Sequence, residues 1–246
     1  YSDKYFDNVH TLLTALARSG YHYAGQFPRA GLPSSDLEVG NASVEMQWFT
    51  RRPGATVVAG VDCALAMLRE CTGYWDEAGQ FIETWHRLEG VWAVHDGCLV
   101  SYSPQAGERH VQPVLRVRGR YRDFALLETP TLGVLSRASR IATNVYHTLI
   151  AARGKPILFF PARFDAPQVQ AADGYAYYIA VQRFNMDYGG QVRPFVSTDA
   201  QGEWWGGAGG GTVPHAVIAC FLGDTAEAML AFASIIPPHV PRIALV

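Results

Sequence analysis

From residue 124 onward the chain alternates helical periodicity with short apolar runs, and this alternation narrows the fold more than any other feature. FALLETPTLGVLSRASRIATNVYHTLIAARG (124–154) repeats apolar residues at helical spacing and ends on Gly154-Lys155-Pro156, a helix stop. PILFFPAR (156–163) is nearly all apolar, the pattern of a strand buried on both faces. A helix over 167–182, a strand-like PFVSTD (194–199), helices over 214–222 and 224–235 and a closing strand RIALV (242–246) complete the series. Strands separated by helices predict a parallel sheet or barrel, because a parallel neighbour is reached only by a crossover.

The first half reads differently. KYFDNVHTLLTALAR (4–18) places Tyr5, Val9, Leu12, Leu13 and Leu16 at helical intervals, and a Gly-, Pro- and Ser-rich loop follows. VEMQWFTRR (44–52) alternates as a strand; PGATVVAGVDCALAMLREC (53–71) gives a turn, a β-branched strand and a helix from about Asp62. VWAVHDGCLVSYSPQ and HVQPVLRVRG read as short strands of an antiparallel sheet, broken by Asp-Gly and Ser-Pro turns. The expected class is therefore α/β with an α+β N-terminal part, with domains at 1–123 and 124–246.

With 49% hydrophobic and 17% charged residues, the 246-residue chain can bury a large core. Twenty basic against twenty-two acidic side chains, a net charge of −2, leave no basic footprint for nucleic acid or an anionic membrane. No apolar run approaches the ~20 residues that span a bilayer, and no targeting signal is visible. Cys63, Cys71, Cys98 and Cys220 stand singly, as expected of reduced, mostly buried cysteines in a cytoplasmic protein. An opening Tyr1 and an apolar run stopping at Val246 are expected of a piece of a longer protein.

Chemistry concentrates in the second half. In WWGGAGGGTVPHA (204–216), glycines allow close approach of main-chain N–H groups to an anion, Thr212 is a candidate N-cap, Pro214 suits the first helical turn, and His215 follows. No G-K-[ST] follows, so this is not a P-loop of the Walker type. The same glycines also suit a surface loop, and a lone histidine is more often structural than acid, base, ligand or phosphoryl acceptor. Phe160 and Arg163 end the apolar run, where a ring can stack and a guanidinium can hold an anion; equally, Phe160 can be core and Arg163 can pair with Asp165. Ser197, Thr198 and Asp199 end the next run and suit a sugar or phosphate, or serve as caps. No spaced metal-ligand set is present, which leaves Mg²⁺ arriving with a phosphorylated substrate.

ETPTLGVLSRASRIATN, KPILFFPARFD, VSTDAQGEWWGG and GGGTVPHAVIACFLGDT, with the N-terminal DKYF and MQWFTRRPGATVVAG, together resemble the nicotinate phosphoribosyltransferases. The resemblance implies a type II phosphoribosyltransferase fold, a sandwich-like N-terminal domain and an irregular α/β barrel, here incomplete and continued beyond RIALV. It implies a cytoplasmic homodimer that joins nicotinate to phosphoribosyl pyrophosphate in NAD biosynthesis, with ATP hydrolysed through a phosphohistidine. By motif, it makes His215 the phosphoryl acceptor and Thr212 a nicotinate-pocket residue. Tyr5 would reach the ring from the neighbouring subunit, Phe160 would stack on the pyridine, and Arg163 would meet phosphate or carboxylate. Nicotinamide and quinolinate phosphoribosyltransferases are the alternatives within this architecture, and a non-catalytic binder of a phosphorylated metabolite is the alternative outside it.

Overall fold

The computed structural model describes residues 1–25, 37–105, 108–211, 213–240 and 242. They form two compact units, Tyr1–Tyr146 and His147–Val246.

The first unit opens with α1 (Lys4–Arg18), which matches the range its apolar spacing predicts. Then come β1 (Ser43–Phe49), β2 (Gly54–Val57), α2 (Val61–Cys71), β3 (Gly73–Trp75), β4 (Phe81–Glu83), β5 (Gly90–Ala93), β6 (Leu99–Gln105), β7 (Glu108–His110), β8 (Pro113–Arg120) and the single turn α3 (Tyr121–Phe124). Pairing is antiparallel throughout: β1-β8-β5, β2-β6-β7 and β3-β4. β8 shows why the sheet is two-sided. Leu115 and Val117 are buried on one face, whereas Arg116 pairs with Glu45 and Arg118 with Glu89 on the exposed side. Trp48, Val58, Leu68, Leu115, Phe124 and Leu135 meet in one apolar cluster, and each such burial contributes about 1.5–3 kcal/mol.

The long helix α4 (Glu128–Ala151) carries Pro130 in its first turn, where proline loses no helical hydrogen bond. Its buried residues include Thr131, Leu135, Ala138, Ala142 and Thr143, spaced three, four and one apart on one side. Three hydroxyls on that side meet otherwise orphaned donors. Thr131 Oγ1 accepts from Trp48 Nε1–H (3.1 Å), Ser139 Oγ from Ala59 N–H (3.1 Å) and Thr143 Oγ1 from Val57 N–H (3.0 Å).

The second unit contains β9 (Leu158–Phe159), α5 (Gln170–Tyr188), β10 (Phe195–Val196), the single turn α6 (Asp199–Gly202), α7 (His215–Cys220) and α8 (Thr225–Ile235). β9 and β10 pair in parallel, Leu158 opposite Phe195 and Phe159 opposite Val196, with α5 as the crossover. The expected strand–helix–strand order is thus present, in shorter strands.

Several expectations are corrected. PILFFPAR is not a strand buried on both faces: Leu158 is 41% exposed, and the chain leaves Phe159 for a 3-10 turn at Pro161–Arg163. Proline at 161 removes the donor a longer ladder would need. The helix expected over 167–182 begins as a 3-10 turn, Pro167–Val169, and runs on to Tyr188, where Gly189 in the left-handed region ends it. The helix expected over 214–222 is only His215–Cys220; Pro214 occupies its N-cap position in an extended conformation, not its first turn. Cys63, Cys71 and Cys220 are exposed and Cys98 is half-buried; on α2 the buried face is Val61, Ala64 and Leu68, and the cysteines fall outside it. Thr212 and residues 243–246 of the RIALV run lie outside the described residues. Among the described residues no helix is long and apolar enough to cross a membrane.

Replacing Thr143 by Val keeps its shape and strands the buried Val57 N–H, so Thr143→Val should lower unfolding stability by about 1–3 kcal/mol in a denaturant titration. Thr143→Ser retains the acceptor and should recover most of that loss; equal losses in both would mean that methyl packing, not the hydrogen bond, matters.

Candidate functional site

Parallel strands deliver their following residues to the same edge of a sheet, so the register Phe159–Val196 brings Phe160 and Ser197 level at neighbouring carboxyl ends. The two strands are tied from beneath by Tyr177 of α5. Its buried hydroxyl donates to Ile157 O (3.0 Å) and accepts from Phe195 N–H (2.9 Å), while its ring stacks on Phe159 at 4.8 Å. Burial pushes the phenol upward in pKa and the Phe195 N–H opposes it, so it stays a neutral donor and acceptor between the strands.

At the end of β9, Phe160 is 43% exposed and the Arg163 guanidinium carbon lies 5.6 Å from the centre of its ring. Of the two readings open for this pair, core phenylalanine does not hold: the residue is partly exposed and a cation lies over its ring.

At the end of β10, Ser197, Thr198 and Asp199 are organised by a residue that the sequence reading did not single out. Gln201 is fully buried. Its Oε1 accepts from Ser197 N–H (3.1 Å), Thr198 N–H (3.2 Å) and Ser197 Oγ–H (3.2 Å), and its Nε2 donates to Gln170 Oε1 (2.7 Å). Two main-chain donors can be met only by the carbonyl end of the amide, which fixes its orientation. Thr198 caps α6 by accepting from Gln201 N–H, the reciprocal half of a capping box. The T-x-x-Q spacing of residues 198–201 is the signal that identifies this clamp in the sequence.

The glycine run lies along the same loop. Gly209 N–H donates to Asp199 Oδ1 (2.8 Å), Gly210 N–H to Val196 O (2.7 Å), Gly207 N–H to Gly202 O (2.9 Å) and Gly206 N–H to Glu203 O (3.2 Å). Those four donors are spent inside the protein, so of the two readings open for the run they do not form an anion cradle. A β-carbon at Gly209 would stand 2.7 Å from Thr198 Cα, and one at Gly210 would stand 2.1 Å from Phe195 Cε2. Close approach to the Thr198 backbone at one position and to the Phe195 ring at the other is what glycine allows here. The aromatic residues ahead of the run dock it on α5: Trp204 Nε1–H donates to Ala171 O (2.9 Å), and Trp205 stacks on Tyr178 at 4.9 Å.

His215 is exposed as the first residue of α7, after Gly211 and Val213. Tyr5 belongs to the first unit. It is 55% exposed on α1 and lies against Phe6 with ring centroids 4.1 Å apart; its phenol is pushed upward in pKa by desolvation first and then by the Glu128 and Asp3 carboxylates. Phe160, Arg163 and Ser197–Asp199 are therefore gathered at one pair of strand ends, the glycine loop is bound to it, and His215 follows that loop. Among the described residues no three His, Cys, Asp or Glu side chains group as metal ligands.

Known proteins share this fold. Residues 32–139 match the family model of the quinolinate phosphoribosyl transferase N-terminal domain. The structure of the nicotinate-nucleotide pyrophosphorylase from Pyrococcus furiosus is similar over 100% of this chain, at 25% identity and a TM-score of 0.67, which covers 49% of that protein. Human nicotinic acid phosphoribosyltransferase is similar over 89% of this chain and 40% of its own, at 20% identity and a TM-score of 0.56. The chain thus spans half or less of either protein's length, and its fold is that of the type II phosphoribosyltransferases.

If Gly209 serves close approach, Gly209→Ala should displace the Thr198–Asp199 backbone and cost about 1–3 kcal/mol in thermal unfolding. Gly211→Ala, with nothing within 4 Å of its β-carbon, should be neutral. Equal tolerance at both would contradict the packing role.

Proposed function

We propose that the chain is part of a nicotinate phosphoribosyltransferase of NAD biosynthesis, joining nicotinate to phosphoribosyl pyrophosphate to give nicotinate mononucleotide and pyrophosphate. The observation that carries this reading is the parallel register that sets Phe160 beside Ser197, with the Arg163 guanidinium over the Phe160 ring. A partly exposed aromatic ring with a guanidinium over it suits a flat ring bearing an anionic group, stacked on the side that Arg163 leaves.

In the reaction, the pyridine nitrogen forms a bond to the anomeric carbon while the carbon–oxygen bond to pyrophosphate breaks and its electron pair leaves with the pyrophosphate. Positive charge builds on the sugar, so the protein's work is alignment and charge stabilisation. Phe160 stacks on the pyridine, and Arg163 holds the carboxylate or a phosphate. Ser197 and Thr198 shape the loop through Gln201, and Asp199 keeps its second carboxylate oxygen for the sugar. Mg²⁺ arrives with phosphoribosyl pyrophosphate or ATP. Thr212 belongs to the ring pocket, and Tyr5 reaches the ring of the neighbouring subunit in a cytoplasmic homodimer; exposure of Tyr5 is compatible with that role.

His215 is the proposed acceptor of the ATP γ-phosphoryl group, later released to water as phosphate. Exposure at the head of α7 gives a phosphoryl donor access to the imidazole. A second reading, quinolinate as the substrate, is favoured by the match of residues 32–139 to the quinolinate N-terminal domain and disfavoured by G-T-V-P-H, since no phosphohistidine is needed there.

The whole protein should convert nicotinate faster than nicotinamide or quinolinate, and take up label from γ-phosphoryl-labelled ATP. His215→Ala should take up none and lose the acceleration by ATP. A preference for quinolinate, indifferent to ATP, would establish the second reading; no product from any of the three would leave the non-catalytic binder.

A further inference from the structure

We infer that the first unit carries a binding site for a small acid with an apolar body. A cavity of about 430 Å³ opens between α4 and the strands that face it, within the size range of small-molecule sites. All of its lining residues belong to the first unit, and none belongs to the candidate site described above.

Trp48, Val58, Val100 and Leu135 give it an apolar interior. Its charge is of one sign: Arg52 and Arg140 line it, and no carboxylate does. Arg52 Nη2 donates to Asn144 Oδ1 (2.9 Å), a neutral partner one helical turn beyond Arg140, so Arg52 meets α4 at the end of the cavity where Arg140 lies on the same side of the helix. Thr56, itself 96% buried by virtue of 4% exposure, also lines the cavity, and its hydroxyl has no hydrogen-bond partner among the described residues. An apolar chamber with two cations at one end fits a ligand whose carboxylate sits between the guanidiniums while its hydrocarbon or ring fills the interior. A neutral apolar ligand would leave that end unmatched, and a polyanion would leave the interior unfilled.

The test uses 8-anilinonaphthalene-1-sulfonate as a fluorescent reporter on the whole protein, with octanoate and octanol as competitors. Octanoate should displace the reporter and octanol should not. Arg52→Gln/Arg140→Gln should weaken octanoate by about tenfold, and Ser136→Trp, a substitution at an exposed lining residue, should abolish displacement while circular dichroism shows both variants folded. Displacement by octanol equal to that by octanoate, or octanoate affinity unchanged in the arginine variant, would overturn the acid. An unchanged affinity in Ser136→Trp would overturn the cavity, as would no reporter binding at all, the result expected if another stretch of protein or a second copy fills it.

Discussion

β2 pairs with β6 along one edge and turns the other toward α4, where the N–H groups of Val57 and, just beyond the strand, Ala59 need acceptors inside the protein. A helix has none to spare on its main chain. Ser139 and Thr143, four residues apart and therefore on one side of α4, provide them, and Thr131 does the same for the Trp48 indole. An unmet buried donor costs about 1–3 kcal/mol, so these hydroxyls set the rotation and depth at which α4 docks. The apolar cluster around Trp48 and Leu115 and the cavity lined by Arg52 and Arg140 both depend on that placement.

The second unit solves a related problem with Tyr177 and Gln201. Two strands of two residues cannot hold their own register, and a single phenolic hydroxyl, bonded to both, locks them together. Gln201 then gathers the N–H groups that the chain leaves exposed as it turns off β10. What reaches the strand ends, a partly exposed ring with a cation over it and a hydroxyl-bearing loop, is positioned by the buried Tyr177 and Gln201. That division suits chemistry in which alignment does most of the work.

How much of this was legible in the sequence depended on how local the cause is. α1, β1, α2 and α4 are set by apolar periodicity within one segment, and each falls within a few residues of its expected range. The glycine run misleads because glycine permits both anion binding and close packing; only the position of Phe195 and Thr198, ten or more residues upstream, decides between them. PILFFPAR looks like a buried strand because composition cannot report that Pro161 ends it. Ser139 and Thr143 read as unremarkable helix residues until the strand edge they serve is known. Phe160, Arg163 and Ser197–Asp199 were legible as candidates because strand ends collect functional groups in α/β folds; Gln201 was legible only through its capping-box spacing.

The proposed chemistry turns on Phe160 holding the pyridine ring. Steady-state kinetics of the whole protein with nicotinate as the varied substrate test it most directly: Phe160→Leu should raise KM about tenfold or more, the loss of a stacking contact, with an unchanged unfolding temperature because the ring is not core. An unchanged KM in a folded Phe160→Leu protein would contradict the account.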